Sequence, residues 1–236
     1  MSLVSDITVT VGGSPMTVLV ARPPVPTPCP AVVLTHHRGG IDEFTQRTAE
    51  RLAANGFIAA APRFYHRRPA GEDTAVSRQS LNDAEVVADI AAVVDHLRAD
   101  RSVRAAALAI MGHCAGGRMA FLGAASNPHF KAAVVFYGGN IFKGEGAGRP
   151  PPIELAGNIR GAMLGLFGKE DTNPSPADVA AIDAELTRLG IRHQFHSYDG
   201  AGHAFQNFTD KTRYRQAVAE DAWAKALAFL KGELRS

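Results

Sequence analysis

Little in this chain serves cross-linking, membrane spanning or charge-driven docking. It holds only two cysteines in 236 residues, Cys29 and Cys114. Two thiols make no disulfide framework, and they point to a reducing compartment. No uninterrupted apolar run is long enough to cross a bilayer. The N-terminus lacks a basic stretch followed by an apolar segment and a small-residue cleavage site, so no export signal is expected. Charge of one sign is also missing: 25 Lys and Arg against 23 Asp and Glu leave a net +2. That balance is too small to argue for nucleic acid or an acidic membrane as partner. The densest basic cluster, His66-Arg67-Arg68, reads as a solvated loop. Internal repeats and low-complexity tracts are absent. The expectation is a cytoplasmic monomer or small homo-oligomer whose partner is a small molecule.

What is present is a core. Apolar residues make up 46% of the chain, and the length suits a single domain over residues 1–236. Weak alternation around Gly12-Gly13 predicts a hairpin, Ile7 to Val11 and Met16 to Val20. A proline-rich connector follows. Short apolar runs predict strands at Ala31 to Thr35, Phe57 to Ala61, Ala105 to Met111, Ala132 to Tyr137, Ala162 to Phe167 and Arg192 to Tyr198. Helical spacing predicts Glu43 to Ala54, stopped by Asn55-Gly56, and residues 83–98, opened by Asn82 with Glu85 in the pattern of a capping box. Further helices are expected over Ala115 to Ala125, after Ser175-Pro176 with Val179, Ile182, Leu186 and Leu189 inward, and along Ala219 to Leu230. Residues 64–80 and 144–158 read as loops. Strands alternating with helices imply an α/β fold, with a mostly parallel sheet flanked by helices on both faces and the hairpin antiparallel at one edge. Loops after strand C-termini then gather on one rim, where ligands bind in such sheets.

Four polar candidates follow predicted strands: His36, Cys114, Asp171 and His203. Cys114 is the tip of Gly112-His113-Cys114-Ala115-Gly116. A strand that reverses at once into a helix needs glycines two residues on either side of the tip, and it pushes the tip side chain clear of the sheet. The helix N-terminus behind the sulfur favours thiolate. The competing reading is a buried, inert thiol, which the flanking glycines Gly112, Gly116 and Gly117 disfavour. His203, in a Gly-flanked loop after the last strand, is the expected base. Asp171, after the preceding strand, is the expected orienting acid, with Glu170 beside it as the alternative. The expected oxyanion donors are the backbone N–H groups of Ala115 and His37.

These residues resemble the dienelactone hydrolase family of the α/β-hydrolase superfamily along nearly the whole chain. The resemblance rests on Gly112 to Gly117, on Gly168-Lys169-Glu170-Asp171 and on Gly202-His203-Ala204-Phe205. Ala61-Pro62-Arg63-Phe64-Tyr65 resembles a family segment in which Pro-Asp-Leu-Tyr is common. The resemblance implies an α/β-hydrolase fold, hydrolysis of an activated ester or enol lactone through a thioester, no metal and no organic cofactor. The Cys-His-Asp roles fall on Cys114, His203 and Asp171. Two departures are visible. Where the family carries a Glu beside the resting thiol, this chain has His36, which either pairs with Cys114 or bonds locally. The arginine that follows the catalytic His in the family is replaced by Phe205-Gln206-Asn207, and Arg78 is the match to a second substrate arginine.

Other classes are weighed against this one. A non-catalytic small-molecule receptor on the same scaffold would keep the fold without acylation. A redox sensor would need a resolving cysteine near Cys114, and the chain has none. A metal site built from His36, His37 and His113 has no supporting ligand spacing, since neighbours in extended chain face opposite ways. Arg38, Arg67, Arg68 and Arg78 are candidates for positive charge at the mouth of the site.

Overall fold

Gly12 and Gly13, at φ +54° and +86°, turn the chain back on itself between β1 (Leu3–Val11) and β2 (Ser14–Arg22). Two consecutive positive φ values suit the right-handed twist of a two-residue hairpin. The computed structural model describes residues 3–235. The remaining elements are β3 (Cys29–Thr35), α1 (Glu43–Ala54), β4 (Ile58–Pro62), α2 (Thr74–Ser80), α3 (Asp83–Ala99), β5 (Val103–His113), α4 (Ala115–Ser126), β6 (Phe130–Phe136), a 3-10 helix (Pro152–Asn158), β7 (Ala162–Gly168), α5 (Pro176–Arg188), β8 (His193–Tyr198) and α6 (Gln216–Glu233).

The eight strands form one sheet in the order β1-β2-β4-β3-β5-β6-β7-β8. Strands β4 to β8, with β3, run parallel, and β1 and β2 are antiparallel at the edge. This is the α/β-hydrolase arrangement. The inner strands are buried on both faces, which explains why they read as continuous apolar runs. Successive residues feed opposite layers. Val33, Ile110 and Val135 pack with Ile90, Val93 and Met119 under α3 and α4. Val32, Leu34, Met111 and Val134 pack with Leu52, Trp223 and Leu230 under α1 and α6.

Helix ends carry their own signals. Asp42 caps α1 by accepting from the Thr45 N–H, and Gly56 lies beyond its end at φ +91°. Ser175 and Asp178 form a reciprocal capping box on α5, with Pro176 in its first turn. At α3 the expected box is only half made. Asn82 accepts from the Glu85 N–H, but the Glu85 carboxylate turns away to Arg68 at 2.6 Å.

Two stretches read as loops contain short helices. Residues 74–80 form α2, capped by Asp73, with Ser77 its one buried residue. Residues 152–158 form the 3-10 helix. Neither offers a buried apolar stripe of helical period, so pattern alone could not reveal them. The segment before α2 is held by charge: Arg67 grips the fully buried Asp89 of α3 at 2.7 and 3.0 Å, and His66 reaches the same carboxylate at 3.2 Å.

The strand order reverses direction between β3 and β5. From β3 the chain moves outward to β4, and from β5 it moves the opposite way to β8. The loops that follow β3 and β5 therefore diverge and leave a crevice at the C-terminal rim, where open α/β sheets bind ligands.

Candidate active site

Cys114 stands at that crevice, between the end of β5 and the start of α4, with φ +57° and ψ −122°. A non-glycine residue held there costs about 1–3 kcal/mol, and such conformations cluster at functional sites. The surroundings enforce it. A Cβ on Gly112 would lie 2.0 Å from Thr35 Oγ1, and one on Gly116 would lie 2.2 Å from the Thr35 carbonyl oxygen and 2.7 Å from that of His36. Turn, β3 and helix can approach this closely only because both positions lack side chains. The Cys114 N–H donates to the Phe136 carbonyl at 3.0 Å, and its carbonyl accepts from the Arg118 N–H.

The sulfur has a partner. His203 Nε2 lies 3.0 Å from Cys114 Sγ, and His203 Nδ1 lies 2.8 Å from Asp171 Oδ2. The structure thus brings together three residues separated by up to 89 positions in sequence. The Asp171 side chain is buried, and its other oxygen accepts from the Asn173 N–H at 2.9 Å. Glu170, its neighbour, is exposed and is not the partner of His203. Tyr137 lays its ring edge-on against His203 at 5.2 Å between centroids, while its own φ is +38°.

The electrostatics follow from these contacts. Burial pushes the Cys114 thiol up, but the bond and charge of His203 and the N–H of Ala115 outweigh it and hold the thiol below its ordinary range. Burial also pulls His203 down, and its bonds to Asp171 and Cys114 reverse this, raising it to about 10. Each group favours the charged form of the other, the direction an activated thiol requires.

The remaining candidates fall in different places. Ala115 opens α4 beside the sulfur and lines the same cavity. The His37 backbone belongs to the loop whose preceding carbonyls crowd Gly116, and its ring turns to Asp42 at 2.8 Å. His36 is not on the sulfur. It is buried, one ring nitrogen donates to the His37 carbonyl at 2.7 Å, and the other accepts from the Phe64 N–H at 3.3 Å. Burial lowers it to about 4. Of the two readings of His36, the geometry favours the local one: a neutral ring that ties the loop after β3 to the loop after β4. His113 packs flat against Phe136 at 4.4 Å and edge-on to Phe44. Among the described residues no cluster of His, Cys, Asp and Glu has the arrangement of a metal site.

A cavity of about 630 Å³ opens above Cys114, Ala115 and His203. Arg78 lines it, as do Arg38, Arg118 and Lys143. Arg67 and Arg68 do not; they face Asp89 and Glu85. Sequence reasoning missed Arg118, Lys143, Glu145 and Tyr137. A signal for Arg118 existed: it is the one charge on the otherwise apolar α4, four residues after Cys114, and it is buried.

Comparison with known proteins gives a consistent picture. The family model described as "Dienelactone hydrolase family" matches residues 16–234. A protein of Synechocystis sp. (strain ATCC 27184 / PCC 6803 / Kazusa) called "Putative carboxymethylenebutenolidase" is 30% identical over 217 residues, covering 87% of each chain. One of the same name from Escherichia coli (strain K12) is 32% identical over 216 residues, 86% of this chain and 77% of its own. The crystal structure of a "Putative Dienelactone Hydrolase" from Klebsiella pneumoniae subsp. pneumoniae MGH 78578 superposes with a TM-score of 0.88 at 29% identity, covering 98% of both chains.

Proposed function

From the premise that this chain belongs to the dienelactone hydrolase family, and is a hydrolase of small-molecule esters or lactones, we propose that it works through a Cys114-His203-Asp171 triad and a thioester acyl-enzyme. One observation carries the reading: the unbroken contact from Asp171 Oδ2 through the His203 ring to Cys114 Sγ, at 2.8 and 3.0 Å, with His203 and Cys114 lining the cavity.

The steps follow from the charges. The Cys114 thiolate attacks the carbonyl carbon, and the carbonyl oxygen becomes an oxyanion. The N–H of Ala115 and that of His37 stabilise it; one such donor is worth about 3 kcal/mol of barrier. The tetrahedral intermediate collapses, the C–O bond to the leaving group breaks, and imidazolium His203 passes its Nε2 proton to the departing oxygen. The acyl group remains on Sγ as a thioester. Neutral His203 then takes a proton from water, hydroxide attacks the thioester, and the acid leaves as the thiolate and imidazolium are restored. Asp171 keeps the Nδ1–H directed at itself, so that Nε2 always faces the reaction.

A thiolate is a better leaving group than a strongly basic alkoxide. The first intermediate therefore goes forward only when the leaving oxygen is stabilised, as in an aryl ester or an enol lactone. Such esters and lactones are the substrate class this site suits. Intact-protein mass spectrometry with a panel of enol lactones and aryl esters tests the reading. The expected result is an acyl-sized increment on the peptide that carries Cys114, together with loss of turnover in Cys114→Ala. Undiminished turnover by Cys114→Ala would refute it.

A further inference from the structure

The mouth of the cavity is lined by four cations, yet they are not equivalent. Arg118 is buried and spends its guanidinium on Asp83, at 2.5 and 3.0 Å, and on the carbonyls of Asn140 and Lys143. Arg78, from α2, donates to Glu145 Oε1 at 2.6 Å across the top of the cavity. Arg38 and Lys143 are exposed and have no ion-pair partner among the described residues.

Glu145 is not a passing surface acid. Its N–H donates to Asp83 Oδ2 at 2.8 Å, and its carbonyl accepts from the Asp83 N–H at 2.8 Å. Its second carboxylate oxygen lies 3.6 Å from Arg118. The backbone that carries Glu145 is thus bolted to a buried ion pair. Only about a fifth of either the Arg78 or the Glu145 side chain is exposed, so water screens this pair less than a surface pair.

We propose that Glu145 is an internal carboxylate ligand of Arg78, which closes that guanidinium to substrate and leaves recognition of an anionic group on the substrate to Arg38 and Lys143. The proposal rests on the reading of this cavity as the substrate site. It separates this chain from the expectation that Arg78 itself holds a substrate carboxylate. An incoming carboxylate finds Arg78 already occupied by a group whose backbone cannot drift away. Arg38 and Lys143 offer charge with nothing to displace. The favoured substrate is an ester or lactone whose anionic group lies toward those two residues.

Calorimetric titration with benzoate, and with benzamide as its neutral counterpart, tests the assignment without relying on turnover. Arg78→Gln is expected to leave benzoate affinity within about twofold of wild type, whereas the Arg38→Gln/Lys143→Gln double variant weakens it about tenfold or more, the scale of a lost charge-assisted contact. Glu145→Gln is expected to tighten benzoate about tenfold, and adding Arg78→Gln to it should remove the gain. Benzamide should follow none of these changes. If Arg78→Gln weakens benzoate as much as the double variant does, Arg78 is the anion receptor and the proposal fails. It fails equally if no variant, Glu145→Gln included, binds benzoate. Should Glu145→Gln lose its thermal transition, the comparison of Arg78→Gln with the double variant still decides. Turnover of phenyl acetate by the wild type, scored separately, reports on the triad reading alone.

Discussion

Thr35 and Gly116 meet across the base of the crevice: the Thr35 hydroxyl lies 2.7 Å from the Gly116 carbonyl oxygen, and a Cβ on Gly116 would lie 2.2 Å from the Thr35 carbonyl. The end of β3 and the first turn of α4 are therefore one rigid unit, and Cys114 is positioned by a strand it does not belong to. Gly116→Ala is expected to force β3 and α4 apart. Overpacking of this kind typically costs about 1–3 kcal/mol, and here the clash is with backbone that cannot rotate away. Chemical denaturation should show the loss, and, on the proposed mechanism, kcat should fall more than KM rises because the His37 and Ala115 N–H groups separate. An Ala variant with wild-type kcat would show that this contact does not set the site.

The contact between Cys114 and His203 makes a prediction about pH. With the Cys114 thiol held below its ordinary range and His203 raised to about 10, kcat/KM for a neutral aryl ester should persist to lower pH than an unassisted thiol would allow. It should fall toward acid as the thiolate gains a proton, and again near pH 10 as the imidazolium loses one. Asp171→Asn removes the first of the two contacts that raise His203, so the alkaline limb should move to lower pH. The same change should lower kcat by a factor on the order of 10³–10⁴, the scale seen when a triad carboxylate is neutralised. An alkaline limb that stays in place after Asp171→Asn would mean that Asp171 does not govern His203.

Much of the geometry of this candidate site was legible before the fold was known, because the residues that meet there also carry strong local signals. Gly112 and Gly116 flank Cys114 because the turn has no room for side chains, and His203 and Asp171 follow strands in chain order. His36 shows where that kind of reading stops. Its place after β3 is a site position, but which way its ring turns depends on the Phe64 N–H, 28 residues away. Residues 74–80 were hidden because a seven-residue helix with one buried side chain has no periodic stripe. The pairing of Arg78 with Glu145 joins α2 to a loop 67 residues away, and nothing in either segment announces the other.

The two buried histidines predict the acid side of the stability curve. His36 is lowered to about 4 and His113 to about 3, both chiefly by burial. Each must remain neutral in the folded chain, while the unfolded chain protonates near 6.5. Their contribution to stability is therefore full above pH 6.5 and is lost as pH falls toward those depressed values. Each histidine contributes a slope of about 1.4 kcal/mol per pH unit in that window. His113→Phe keeps the stack on Phe136, removes a ring nitrogen that has no partner among the described residues, and should flatten the curve between pH 6 and 4 without loss at pH 8. Urea midpoints measured across that range would show it. An unchanged slope would mean that His113 takes up its proton without unfolding.

Arg118 and Asp83 supply the last test, because their pairing is both a burial problem and the anchor of the cavity wall. Both side chains are almost fully buried, so each charge is tolerable only beside the other. Arg118→Met leaves the Asp83 carboxylate without its guanidinium, and losing one partner of a buried pair typically costs about 3–5 kcal/mol. It also frees the carbonyls of Asn140 and Lys143, which Arg118 holds at 3.2 and 2.6 Å. Adding Asp83→Leu removes the stranded charge and should recover part of the stability. It cannot recover the wall, because the Glu145 N–H loses its acceptor as well. The double variant should therefore unfold at a higher urea concentration than Arg118→Met while still showing a raised KM. That split would separate the two roles of the pair, since stability follows the charge balance and substrate binding follows the loop. Equal recovery of both would mean that residues 140–146 are held by something other than Arg118.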